Sequence, residues 1–300
     1  MDRLDAMSIF IAAVEAGSFS AASRKLGVPL PTVSRKVADL EAHLNTRLLV
    51  RSTRKLALTD AGAAYLAACK NILEQVGEAE RAASGEYVSP KGDLIIAAPI
   101  VFGRLHVLPA VNDFLATFPD INVQMVLSDR NADLIDDHID VAVRIGALSD
   151  SSMVATRVGF VRRVACASLD FLAAHRTPKT PDDLATLPCV TFGNMVSGSS
   201  WMFAAKNKRA TRHVPVQARL AVNTAEAALD AAIAGVGITQ VLSYQAAQAI
   251  KDKRLKIVLK DFEVEPLPIH VLYPAQTRPP LKLRSFLEFA VPRLRRSAAA

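Results

Sequence analysis

Thr32, Ser34 and Arg35 lie within four positions on a segment whose apolar residues recur at Val33, Val37, Leu40 and Leu44. Steps of three and four predict a helix. Turning the apolar stripe inward turns Arg35 and Asp39 outward, with Thr32 and Ser34 beside them. A guanidinium fork can donate two hydrogen bonds to O6 and N7 of guanine, and hydroxyls can reach base edges or phosphates. Arg35 is therefore the candidate base reader, and Thr32 and Ser34 are candidate base or phosphate contacts. Lys36 and Arg24 are candidate phosphate contacts, which set register without reading sequence. Between Arg24 and Lys55 eight basic residues face two acidic ones, a local net charge of +6. The whole chain carries only +7, so nearly all of the excess sits in about a tenth of its length. That concentration is an electrostatic footprint for a polyanion.

The elements that must hold these residues are legible on either side. Leu4, Met7, Ile11 and Val14 predict an amphipathic helix ending at Gly17. Ser18 or Ser20 can cap a second, short helix that buries Phe19, Ala22 and Leu26 and stops at Gly27. Ser18 is also a candidate DNA contact. The third helix, starting near Pro31, completes a helix-turn-helix plan. The run from Leu48 to Leu58 reads as a small hairpin with a basic tip, a wing, placing Arg51, Arg54 and Lys55 against a phosphate backbone or in a minor groove. Thr59 caps a helix of about 26 residues, roughly 39 Å long. Its seam of Leu66, Cys69, Leu73, Val76 and Ala83 has coiled-coil spacing and predicts a dimer.

A linker with Gly85, Pro90 and Gly92 follows. Strands are predicted at 94–98, 121–127, 141–145, 163–167, 214–222 and 238–241, and helices at 108–117, 225–234 and 281–294. Their alternation implies α/β layers with largely parallel sheets. The expected division is a DNA-binding domain at 1–58, a linker and dimerisation helix at 59–91, and an α/β domain at 92–300.

Several function classes are disfavoured. A composition of 51% hydrophobic and 22% charged residues suits packed cores. Cys69, Cys166 and Cys189 are scattered without metal-ligand spacing, so no zinc site or disulfide framework is expected, and no cofactor. No signal peptide or membrane span is read, which suits the cytoplasm. The six histidines are dispersed and no nucleophile elbow or paired carboxylates appear, so an enzyme is not expected. The rival is a solute receptor or enzyme whose N-terminal helices dock a protein. That needs an exposed apolar face, where this chain offers Ser34 and Arg35.

The run from Phe10 to Gly62 resembles the N-terminal domain of LysR-type transcriptional regulators. The resemblance is carried by Gly17-Ser18-Phe19-Ser20-Ala21-Ala22, Pro31-Thr32-Val33-Ser34-Arg35, Leu40-Glu41 and Leu58-Thr59-Asp60-Ala61-Gly62. Later segments, among them Asp140 to Gly146 and Ala234 to Ile238, are similar to the family's effector domain. Leu30 stands where many members have Gln, removing one polar contact to DNA. Asn45 replaces a common glycine after the reading helix and tolerates a left-handed backbone. Leu49 replaces a phenylalanine.

The resemblance implies a winged helix-turn-helix, a linker helix and two α/β lobes like those of periplasmic solute-binding proteins. Lobe I would comprise 92–162 and 267–300, and lobe II 163–266. It implies a homodimer or tetramer on an imperfectly palindromic operator, with contact to RNA polymerase open. An organic effector, aromatic or carboxylate, would sit between the lobes. Carried over, its site would include Pro99, Ile100, Val101, Ser128, Asp129, Arg144 and Gly146 on one side, and Phe192, Asn223, Thr224 and Thr239 on the other. The helix starts after Pro99 and at Thr224 are candidate anion sites.

Overall fold

The computed structural model describes residues 2–51, 56–84, 89–129, 139–148, 153–193, 200–205, 210–275 and 279–299, with backbone alone at 51, 78, 81–84 and 299. Three helices come first: α1 (Arg3–Glu15), α2 (Phe19–Leu26) and α3 (Leu30–Leu44). The Asp2 carboxylate caps α1 through the amides of Leu4 and Asp5, and Ser18 caps α2 through Ala21. Gly27, at φ 67°, turns the chain between α2 and α3, and Asn45 ends α3 at φ 49°. Short strands β1 (Leu49–Arg51) and β2 (Leu56–Leu58) pair antiparallel as the wing.

The core beneath α3 is made of Val33, Val37 and Leu40 against Phe10, Ala13 and Ala22. The face of α1 differs from the predicted one. Ala6, Ile9, Phe10 and Ala13 are buried and Leu4 is exposed, because α1 is apolar around much of its girth and its small residues admit closest approach. Leu26 of α2 is likewise exposed.

Helix α4 (Asp60–Ser84) has 25 residues. Thr59 Oγ1 accepts from Gly62 and donates to the Arg47 carbonyl, locking the helix start to the wing. Gly62 packs directly on the Leu48 carbonyl, where a Cβ has no room.

Two five-stranded sheets follow. The elements are β3 (Gly92–Ala98), α5 (Ile100–Phe102), a π-helical turn at Gly103–Val107, α6 (Leu108–Thr117), β4 (Ile121–Leu127), β5 (Val141–Ile145), β6 (Met153–Val161), β7 (Arg163–Ser168), α7 (Leu169–Ala174), β8 (Cys189–Phe192), β9 (Ser200–Ala204), β10 (Thr211–Pro215), β11 (Ala218–Val222), α8 (Ala225–Ile233), β12 (Ile238–Leu242), α9 (Ser243–Lys251), β13 (Leu255–Val258), β14 (Leu267–Pro274) and α10 (Leu281–Ala299). One sheet has the order β4-β3-β5-β14-β6, the other β11-β8-β12-β7-β13.

Both sheets are mixed, which corrects the largely parallel expectation. β14 runs antiparallel to β5 and β6, and β7 antiparallel to β12 and β13. The strand predicted at 214–222 is two strands in different sheets, since Pro215 closes β10 and a proline cannot continue a ladder.

The chain passes from the first sheet to the second at Arg162 and returns between Glu263 and Leu267. These crossings are bound together. Arg162 Nη1 lies 2.7 Å from Glu263 Oε2, and the Arg162 amide donates to Ser243 Oγ. At the foot of the first lobe the Lys282 ammonium of α10, 5% exposed, lies 2.6 Å from the Glu74 carboxylate of α4. Nearby Asp140 accepts a hydrogen bond from the Ile95 amide. Burial raises the Asp140 carboxyl above its ordinary pKa, against the Ile95 amide and the Lys282 charge, which both lower it.

Candidate nucleic-acid interface and effector cavity

On α3, Arg35 and Asp39 are exposed and Thr32 and Ser34 half-exposed. Among the described residues neither Arg24 nor Arg35 enters an ion pair, so both guanidiniums face solvent without an internal partner. Lys36 is different. Its ammonium is bound to the Asp5 carboxylate of α1 at 2.5 Å and is three-quarters covered. The Ser18 hydroxyl is engaged as the α2 cap.

The wing is oriented by a residue outside the predicted set. Glu41 Oε1 accepts hydrogen bonds from the amides of both Leu48 and Leu49. One carboxylate on α3 thereby fixes where the hairpin leaves it. Arg54 and Lys55 lie outside the described residues, as does the side chain of Arg51. Leu30 opens α3 and is 42% exposed, so an apolar side chain stands at the tip of that helix.

The predicted dimer seam is redistributed. Cys69 is fully buried in the core of the N-terminal domain, with Leu66 and Tyr65 packed beside it. The spacing that reads as a coiled coil is met within the chain by α1. Burial lifts the Cys69 thiol above its ordinary pKa and pushes Tyr65 up to about 12. Leu73 lines a recess between α4 and the first lobe, Val76 is half-buried, and the Ala83 side chain lies outside the description. The face of α4 left to solvent carries Ala64, Ala68, Ile72 and Ala79.

Between the two sheets lies a cavity of about 400 Å³. It opens at the carboxyl ends of β3, β5 and β12, where open α/β sheets bind ligands. Pro99, Ser128, Asp129, Arg144 and Phe192 of the predicted set line it.

Six others do not. Val101 is a buried residue of α5, and Ile100 heads that helix. Gly146, at φ 116°, turns the chain after β5 and donates to the Pro268 carbonyl. Asn223 is exposed outside the cavity. Thr224 caps α8 through Ala227. Thr239 is sealed at 0% exposure within β12 and does not reach the cavity wall. The expected anion site after Pro99 is also taken, because Asp129 Oδ1 already accepts from the Ile100 amide at 3.0 Å.

Sequence reasoning missed Arg163, Gln240, Tyr244 and Gln245, all lining residues. Trp201 serves both core and cavity wall, being 8% exposed and on the lining. Gln240 Nε2 donates to the Met202 carbonyl and Gln245 Oε1 accepts from Leu242. Burial and the nearby Asp129 charge push the Tyr244 phenol well above its ordinary value. Tyr244 also meets Phe102 and His106 edge to face, with centroids 5.4 and 5.7 Å away. Arg104 and Glu226 close an ion pair of 2.8 Å between the two lobes. Among the described residues no cluster of His, Cys, Asp and Glu suits a metal, and no single helix is long and apolar enough to cross a membrane.

A winged reading helix joined by a long stem to a two-lobed binder defines a ligand-responsive DNA-binding regulator. Residues 4–63 match the bacterial regulatory helix-turn-helix of the lysR family, and residues 88–295 match the LysR substrate binding domain. The chain is 32% identical to an HTH-type transcriptional repressor of Pseudomonas aeruginosa over 97% of this chain and 92% of that one. It is 31% identical to the HTH-type transcriptional activator AaeR of Escherichia coli over 95% and 91%. The full-length virulence activator AphB of Vibrio cholerae superposes with a TM-score of 0.62 at 28% identity, covering 96% and 98%. The chain belongs to the LysR family of transcriptional regulators, with a DNA-binding helix-turn-helix and an effector-binding domain.

Proposed function

We propose that this regulator reads its operator through Arg35, with Thr32 and Ser34 beside it, and holds phosphates through Arg24 and the wing. The observation that carries this reading is the exposed guanidinium of Arg35, unpaired on a helix whose opposite face is the domain's core. Lys36 plays the smaller part, since Asp5 already neutralises it. Two copies meet along the Ala64, Ala68, Ile72 and Ala79 face of α4, whose small residues allow close approach. The operator is then an imperfect palindrome, and dimers can pair into tetramers. An organic effector in the cavity between the lobes changes the geometry of the pair, acting through unequal affinity for two lobe arrangements. The protein works in the cytoplasm, without catalysis.

The test is Arg35→Ala, measured on operator fragments selected from a random DNA pool. Specific affinity should fall roughly tenfold to a hundredfold, the loss of one bidentate base contact. Nonspecific, salt-dependent binding and the circular dichroism spectrum should persist. Unchanged specific affinity would remove Arg35 as the reader.

A further inference from the structure

The antiparallel run of β7 has a consequence for the cavity. Arg163 begins β7 and pairs in register with Leu242 at the carboxyl end of β12. Its side chain thus enters the cavity from the second lobe, one residue past the crossing at Arg162. It is half-buried, and burial disfavours its cation. Among the described residues no carboxylate or hydrogen-bond acceptor meets it. A withdrawn cation without a partner is costly unless something else supplies the charge.

Among the described residues the other charged groups on the wall are Arg144 and Asp129, which with Arg163 make a net +1. Asp129 is held by the Ile100 amide and stands beside Tyr244. Phe192, Trp201 and Tyr244 supply broad apolar faces around the same space.

We propose that Arg163 is the anion anchor of this cavity, the residue that holds the acid end of an organic effector of the class the family resemblance implies. This rests on reading the cavity as the effector site. The carboxylate pairs with the Arg163 guanidinium and the body lies among Phe192, Trp201 and Tyr244. Arg163 follows the hinge directly, so filling its charge acts where the two lobes pivot. The anchor is a side chain of β7, not a helix start.

The experiment uses the full chain in a buffer free of carboxylates. Benzoate, phenylacetate and indole-3-acetate are compared with their neutral amides by calorimetric titration and thermal shift. The acids should bind at least tenfold more tightly than the amides. Arg163→Met should lose that preference, and Arg163→Lys, which keeps the charge, should retain it in part. Circular dichroism and melting check that both variants fold. Equal binding of acids and amides, or an acid preference that survives Arg163→Met in full, overturns the anchor and leaves the cavity as an effector site. No shift from any acid or amide overturns both readings.

Discussion

Two positive side chains are drawn away from solvent in the C-terminal half, at opposite ends of the first lobe's neighbourhood. Lys282, at its foot, is 5% exposed and matched by Glu74, with Asp140 nearby. Arg163, at the hinge, faces a cavity of about 400 Å³ and has no carboxylate among the described residues. The first charge is complete within the chain and ties the linker helix to a lobe. The second has no counter-charge among the described residues, and the proposed effector would supply it. A withdrawn charge is thus structural or receptive according to whether the fold supplies its counter-charge.

The contrast is sharpest in stability. Lys282→Met leaves the Glu74 carboxylate covered and uncompensated, and should cost about 3–5 kcal/mol in urea unfolding. Adding Glu74→Gln removes the stranded charge and should recover most of that loss. A single-variant cost under about 1 kcal/mol would place Lys282 among ordinary surface pairs and dissolve the comparison. Arg163→Met should do the opposite. Without ligand it removes a desolvated cation and should stabilise the protein by about 1 kcal/mol. Destabilisation would mean that the guanidinium already has a partner.

The smallest effect concerns pH. Burial lowers the pKa of His106 and His270 below 6.5, and His270 Nδ1 is covered without a hydrogen-bond partner. The unfolded chain takes up protons as pH falls through about 6.5, while the folded rings resist. Stability should be full above that value and decline below it. Melting temperatures between about pH 7 and pH 5 should slope downward, and His106→Gln with His270→Gln should flatten the slope.

The sequence made the N-terminal domain legible because its signals are local. The stripe Val33, Val37 and Leu40, the left-handed Gly27 and the Thr59 cap each act within a few residues of themselves. The stem was harder. The spacing of Leu66 and Cys69 says that one face of α4 is covered but not by what, and α1 proved to cover it. In the effector domain the strands at 121–127 and 141–145 were read to the residue, and the cleft from the family resemblance.

Arg163 escaped because a parallel sheet would put the start of its strand far from the ligand. Only the antiparallel pairing with β12 brings it to the cavity. Thr224 and Thr239 have the right chemistry at the wrong depth, one capping its own helix and the other sealed within its strand. Glu41 was visible as a family residue, but its double hold on the wing depends on where the chain returns after Asn45.

The buried Lys282–Glu74 pair has a further consequence, in ionic strength. Mobile ions screen exposed charges over about 10 Å at 0.1 M and about 3 Å at 1 M, but penetrate poorly where water is excluded. The solvent-facing guanidiniums of Arg24 and Arg35 are in the opposite regime, since their proposed attraction to DNA would depend on releasing counterions. Raising salt should therefore strip the regulator from its operator while the joint between stem and lobe keeps its set. One end of the molecule is an electrolyte-sensitive clutch, and the other a rivet that electrolyte does not loosen.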